Sequence, residues 1–459
     1  MENSKSEIRG TKQIQMNKKE YSSLIKIMSE EEIKKDLLEK LKIVTGEFFG
    51  IIKEIQNNGE IPSRELSSAL SKETDKVEAF LDDYGAANNK RFFYFRELVA
   101  SIRWINIAVF QSIHILLRFK NYNIELDERQ KNKFLKEIKK NLSFYLHNLK
   151  NLITEVFKEG ENLGLEIKPA VFSGNGSLLL QKKILPPDLD ENVIHKKEER
   201  VIEILMKYLE TCEKFKFFVC EMGKEENPTE ESLEKFRSIF NQLQSIYDTY
   251  LKNTDVENEI SNLKKIRGHI SISLHLLEIG RALIHFYERH SNKIKKHPAT
   301  TKIANLIDKD KIKDNVKNFI LKETLIFNTK GEEVSKKIFA EIKVNPDEFI
   351  LETKILIIPS YRIEDFHIRP IMPITQIANK YKIDSFLYFN RNKYNLKSPI
   401  EMAIAIPDIR ESLAKENTQI MIQGPKKSVK EMVKFFQKKC GAYQKENTCM
   451  PHKFLDVSS

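Results

Sequence analysis

From Ser29 onward, apolar positions return every three or four residues. Ile33, Leu37, Leu41, Val44, Phe48, Ile51 and Ile55 fall on one side of a helix, and Ser29 with Glu32 supplies a capping box at its start. The same period recurs over residues 63–84, 90–122, 127–159, 190–222, 229–251, 256–290 and 302–343. Breakers are few within each stretch, and Asn57-Asn58-Gly59, Gly160 and Asn227-Pro228 mark turns, so the pattern predicts bundles or a helical array. Residues 165–187 interrupt it. There VFSGNGSLLL suits a short hairpin about Gly174-Asn175-Gly176, closed by Pro186-Pro187. This interruption divides two helical modules, 29–187 and 188–345, that follow a mobile polar arm at 1–28.

After Asn345-Pro346 the period changes. β-Branched and aromatic runs replace the three-four spacing, and the order reads strand, helix, strand, strand, helix, strand, helix. Ser398-Pro399 starts the second of these helices as cap and first-turn pair, residues 418–423 suit a strand, and residues 428–439 an amphipathic helix. The expected fold is therefore multidomain. A mostly α-helical region precedes an α+β open-faced sandwich of βαββαβα order at 346–440, a four-stranded antiparallel sheet covered on one face by three helices, with a tail at 441–459. Contact between this sandwich and the helical region is expected to be modest and mainly polar.

Composition narrows the classes. The chain has 459 residues, 41% hydrophobic and 31% charged, which excludes a disordered chain; Gly 15 and Pro 14 are low and favour long helices. The net charge of +11 is spread along the helices without a block of like charge, so it argues little for nucleic-acid binding. The first residues lack the apolar core of a secretory signal, and residues 104–119, the most apolar stretch, are too short and too polar to cross a bilayer. Cys212, Cys220, Cys440 and Cys449 show no CxxC spacing; free thiols and a cytoplasmic location are expected. Gly174-Asn175-Gly176 lacks the lysine and hydroxyl residue of a phosphate-binding loop. His114, His269, His275, His285 and His290 lack i, i+4 spacing, so they read as core or interfacial residues, and neither a metal nor a cofactor is expected.

The candidate chemistry lies in Asp365-Phe366-His367-Ile368-Arg369-Pro370. An exposed imidazole is a nucleophile near neutral pH and a good leaving group once phosphorylated, so His367 can take up and release a phosphoryl group. Arg369 offers its planar donor fork to the same oxygens, and a helix starting nearby would add free backbone N–H groups. This segment, with IANKYKIDSFLYFN, the NLKS at 395–398, NTQIMIQG and the last helix, resembles HPr, the histidine-containing phosphocarrier family of the sugar phosphotransferase system, over about a fifth of the chain. The resemblance implies His367 and Arg369 as the active pair. It implies Ser398 as a candidate for regulatory phosphorylation, although ordinary helix capping also explains that serine. It implies Met372 and Ile400 as candidates for partner docking, with a core position an equal account of Ile400.

This sequence departs from the family at several points. Asp365 replaces a glycine, Ile368 and Ile371 replace small residues, Pro373 falls within the first helix unless that helix begins near Met372, and residues 406–415 carry an insertion. The implied function is a phosphocarrier that receives phosphate on His367 from Enzyme I and passes it to a IIA acceptor, with no nucleic-acid or membrane-inserted partner. The alternative is a regulatory protein that keeps the carrier fold and uses its helical region to bind another protein. A basic nucleic-acid or membrane-surface binder rests on the net charge alone.

Overall fold

The computed structural model describes residues 27–57, 59, 61–165, 197–222, 228–291, 297–344, 351–367, 369, 372–381, 383–390 and 392–444. Most of the arm, the hairpin about Gly174, the boundaries at 187 and 345, Ile368, Ile371 and the tail beyond Gln444 lie outside them. Ser29 caps a first turn at Glu30–Glu32, and the Glu32 carboxylate accepts from the Ser29 N–H at 2.7 Å. After a π turn at Ile33–Leu37 the helix continues as α1 (Leu38–Asn57). Next come α2 (Arg64–Asp83), α3 (Phe93–Arg118), α4 (Glu128–Asn162), α5 (Lys197–Glu221), α6 (Glu230–Tyr250), α7 (Leu263–His285) and α8 (Lys322–Glu341). The single helix expected over 302–343 is broken at Ile307, which is extended, because the Asp308 side chain accepts from the Lys311 N–H and starts a new helix, Lys309–Asn315. The apolar stretch at 104–119 belongs to α3, the one described helix long and apolar enough to cross a membrane; its apolar window is 67% buried inside the protein.

The chain divides into two compact units, Met1–Arg103 with Lys150–Gly174, and Trp104–Leu149 with Asn175–Ser459. In the first, Phe49 stacks on Phe157 and meets Phe95, while Gly160 brings the α4 backbone against the Phe49 ring where a side chain would not fit. Arg96 binds Glu78 at 2.9 Å, Asp82 at 2.8 Å and the buried Glu97 at 3.0 Å, so the buried carboxylate is paired.

The second unit is built on α7, most of whose residues are buried, with α6 and α8 beside it. Gly268 of α7 sits where an added Cβ would collide with the Tyr122 carbonyl, and Gly331 of α8 where it would collide with the Tyr208 hydroxyl. The α+β part belongs to this unit. It runs β1 (Leu351–Ile358), a 3-10 helix Ser360–Asp365, α9 (Pro373–Asn379), β2 (Phe386–Phe389), β3 (Asn392–Asn395), α10 (Pro399–Leu413), β4 (Thr418–Pro425), α11 (Lys426–Cys440) and β5 (Tyr443–Gln444). Strand order is β3-β2-β4-β1-β5 and every pairing is antiparallel. β5 adds to the four expected strands. Gly441 ends α11 at φ 61, and the chain turns back to pair on the otherwise free edge of β1.

The register sorts the two faces. Leu356 lies opposite Ile420, and Leu387 opposite both Ile422 and Tyr394; this face shares one core with Ile374, Met402, Ile409, Val429, Met432 and Phe436 of the three helices. The other face is not open. It carries Tyr388, Met421 and Gln423, which line a hollow with Phe217 and Phe218 of α5. The alternation of β2 and β4 places large side chains on both faces.

Near this layer, burial and the neighbouring Glu213 carboxylate push Glu332 up to about 7. A carboxyl raised in the folded state costs stability once it ionises, so the cost grows as pH rises from the ordinary glutamate range through 7. Glu332→Gln is expected to stabilise the protein at pH 8 and to lose that advantage at pH 5, as read from urea midpoints. Gly268→Ala is expected to cost about 1–3 kcal/mol or more through overpacking. Gly46→Ala, in open space on α1, is expected to gain about 0.5–1 kcal/mol in the same titration.

Candidate functional site

The loop after β1 is anchored by Phe366. Its ring is fully buried and stacks on Phe436 of α11 at 6.2 Å between centroids, and the next residue, His367, sits half-buried in a bend. Arg369 is exposed. Neither His367 nor Arg369 is engaged in a hydrogen bond or ion pair with another described residue, so the imidazole and the guanidinium are both available to a ligand.

Asp365 forms an ion pair with Arg362 at 2.9 Å. Arg362 also packs against Gly441 at the end of α11, and the neighbouring Cys440 thiol is pushed up to about 12, first by burial and then by the Asp365 charge. The carboxylate is thus committed to a guanidinium beside the end of α11, and its charge is countered there. Sequence reasoning missed Arg362; its spacing of three from Asp365 inside one 3-10 segment was the available signal. It also missed Phe366, whose anchoring role depends on a ring from a distant helix.

The structure agrees with the alternative left open from sequence, a helix beginning near Met372. α9 begins at Pro373 with Met372 as its cap, so Pro373 occupies the first turn, where its missing N–H costs nothing. The Thr375 N–H is already bonded to the Met372 carbonyl at 3.0 Å.

Ser398 caps α10: its hydroxyl accepts from the Glu401 N–H at 3.2 Å, and the Glu401 carboxylate accepts from the Asn395 N–H at 2.6 Å. The end of α9 is tied to this start, with Asn379 donating to the Lys397 carbonyl at 3.3 Å. Ile400 is 75% exposed, which removes the core account of it; with Ile404 at 56% it forms an apolar stripe along α10. Met372 is half-buried and packs against the domain core, so only part of it faces out. The inserted residues lengthen α10 to Leu413, with Pro407 on its exposed side. Away from this site, His269 and His285 are buried side chains that burial pushes down to about 4; His285 still meets Glu230 at 2.8 Å.

Comparison with protein-family models, with curated proteins and with solved structures finds no match. Ser398→Ala is expected to cost about 1 kcal/mol through loss of the cap, while Ser398→Asp retains most of it. Amide exchange in the first turn of α10 checks both, and a cap-independent role for the serine would leave that exchange unchanged.

Proposed function

We propose that the α+β part of this chain is a phosphocarrier of the phosphotransferase type. His367 accepts a phosphoryl group from phosphorylated Enzyme I and yields it to a IIA acceptor. An imidazole nitrogen forms the new N–P bond as the donor's bond to phosphorus breaks, and the reverse exchange passes the group on. The observation that carries this reading is the loop itself: Phe366 fixes the backbone from inside the core, while His367 and Arg369 keep their side-chain polar atoms uncommitted among the described residues. The Asp365–Arg362 pair supports it by countering the one carboxylate in the motif that would repel a phosphoryl dianion. The exposed Ile400–Ile404 stripe is a surface on which a donor or acceptor can dock.

A second reading is favoured by the departures from the family's residues at Asp365, Ile368, Ile371 and Pro373, the last of which occupies the first turn of α9. On it the part retains the carrier architecture, transfers phosphate poorly, and serves regulation through a protein bound by the helical region.

Incubation with Enzyme I and labelled phosphoenolpyruvate tests the first reading. Acid-labile label is expected on the protein and none on His367→Ala. Loss of one charge-assisted contact in Arg369→Ala is expected to slow labelling about 10- to 100-fold with the fold intact. Asp365→Gly, whose carboxylate is already paired, is expected to stay within about threefold of the parent rate. Label that persists in His367→Ala rejects the assignment of the histidine. A wholly unlabelled parent protein leaves the regulatory reading.

A further inference from the structure

A cavity of about 670 Å³ lies on the sheet face away from α9, α10 and α11, between the strands and helices α5 and α6. Its volume falls within the ~300–1,000 Å³ typical of ligand sites. Its walls follow from the periodicities of the elements. Lys214, Phe217 and Phe218 share one side of α5, Ser232, Lys235, Phe236 and Ile239 one side of α6, and the pairing of Tyr388 with both Lys393 and Met421 sets these three in a row across β3, β2 and β4.

The neutral polar groups of the lining are already satisfied. The buried Gln423 amide accepts from the Tyr388 hydroxyl at 2.9 Å and donates to the Thr353 hydroxyl at 3.2 Å. Thr229 and Ser232 are closed on each other as the capping box of α6. A ligand rich in hydroxyl or amide groups would find few partners here and lose its hydration. The lysines differ from these groups. Lys214 is paired with Glu210, but Lys235 and Lys393 make no ion pair with a carboxylate among the described residues, and the Lys393 ammonium lies 3.6 Å from the centre of the Phe386 ring. Apolar walls with cations at the margin call for a molecule that is apolar along its length and anionic at one end.

We propose that this cavity binds a linear acyl carboxylate, with its chain along Phe217, Phe236 and Met421 and its carboxylate drawn to Lys235 and Lys393. The site is independent of the His367 loop, so its test does not depend on phosphoryl transfer.

Calorimetric titration of the full-length protein with octanoate, decanoate and dodecanoate, each below its micelle concentration, measures it. Affinity is expected to rise roughly threefold for each added methylene. The methyl ester of dodecanoate is expected to bind at least about fivefold more weakly, and the Lys235→Ala, Lys393→Ala double variant to weaken dodecanoate to the same degree. Both lysines are exposed, so this variant keeps its fold, checked by circular dichroism. Met421→Trp, which narrows the cavity where the chain is placed, is expected to weaken dodecanoate, and undiminished affinity in it overturns the placement of the chain along Met421. Failure of dodecanoate to bind the folded parent protein overturns the proposal. Equal affinity for the ester, or an affinity unchanged in the lysine variant, overturns the anionic headgroup and with it the assigned class.

Discussion

A helix buried on every side cannot send its polar side chains to water, and α7 is such a helix. Ser273 meets Asn328 of α8 at 2.8 Å, Ser271 meets Gln244 of α6 at 2.7 Å, and Arg267 binds Asp248 with bonds of 2.9 and 3.0 Å. His285 is held between Glu230 and the Trp104 ring, stacked at 3.6 Å, and Arg281 lies 5.1 Å over the same ring. Each of these pairings sets the rotation of a neighbouring helix about its own axis, because an unpaired buried group would cost about 1–3 kcal/mol. The glycines complete the constraint. Gly268 and Gly280 let the Tyr122 backbone and the Ile320 side chain come closer to α7 than a Cβ would allow.

The rotation fixed in this way reaches the sheet through α5. Its residues Tyr208 and Cys212 face α8, with the Tyr208 hydroxyl against Gly331, while Phe217 and Phe218 look toward the strands. One helix thus serves two layers with different side chains, and the sheet is lined on both faces. On the inner face the layers interdigitate in one core. On the outer face the large side chains of α5, α6, β2 and β4 stop short of each other and leave the lysine-edged hollow. The same register that makes the first core tight sends Tyr388, Lys393 and Met421 outward, so neither face can be altered by a one-residue shift without disrupting the other.

The His367 loop depends on the inner core. With Phe366 buried against Phe436, His367 is turned to the margin, and the Asp365–Arg362 pair holds the preceding turn against the end of α11. An ion pair at a half-exposed position contributes about 0–1 kcal/mol, so the aromatic anchor supplies most of what fixes this backbone.

Much of this was legible in the order of residues alone. The long helices declare themselves because a three-four apolar stripe is a local signal, as in the run from Leu41 through Phe48 to Ile55, and so do the caps at Ser29 and Ser398, whose hydroxyls act within three residues. The antiparallel α+β segment after 346 was legible from its change of period. What only the tertiary structure decided are the facts that need two distant stretches at once. The exposure of Ile400, the pairing of Asp365 with Arg362, the added strand β5 and the hollow beside Lys393 have no period or spacing of their own. Each follows from where another element packs, because burial and charge neutralisation are properties of pairs of surfaces, and a sequence written in one dimension names only one member of each pair.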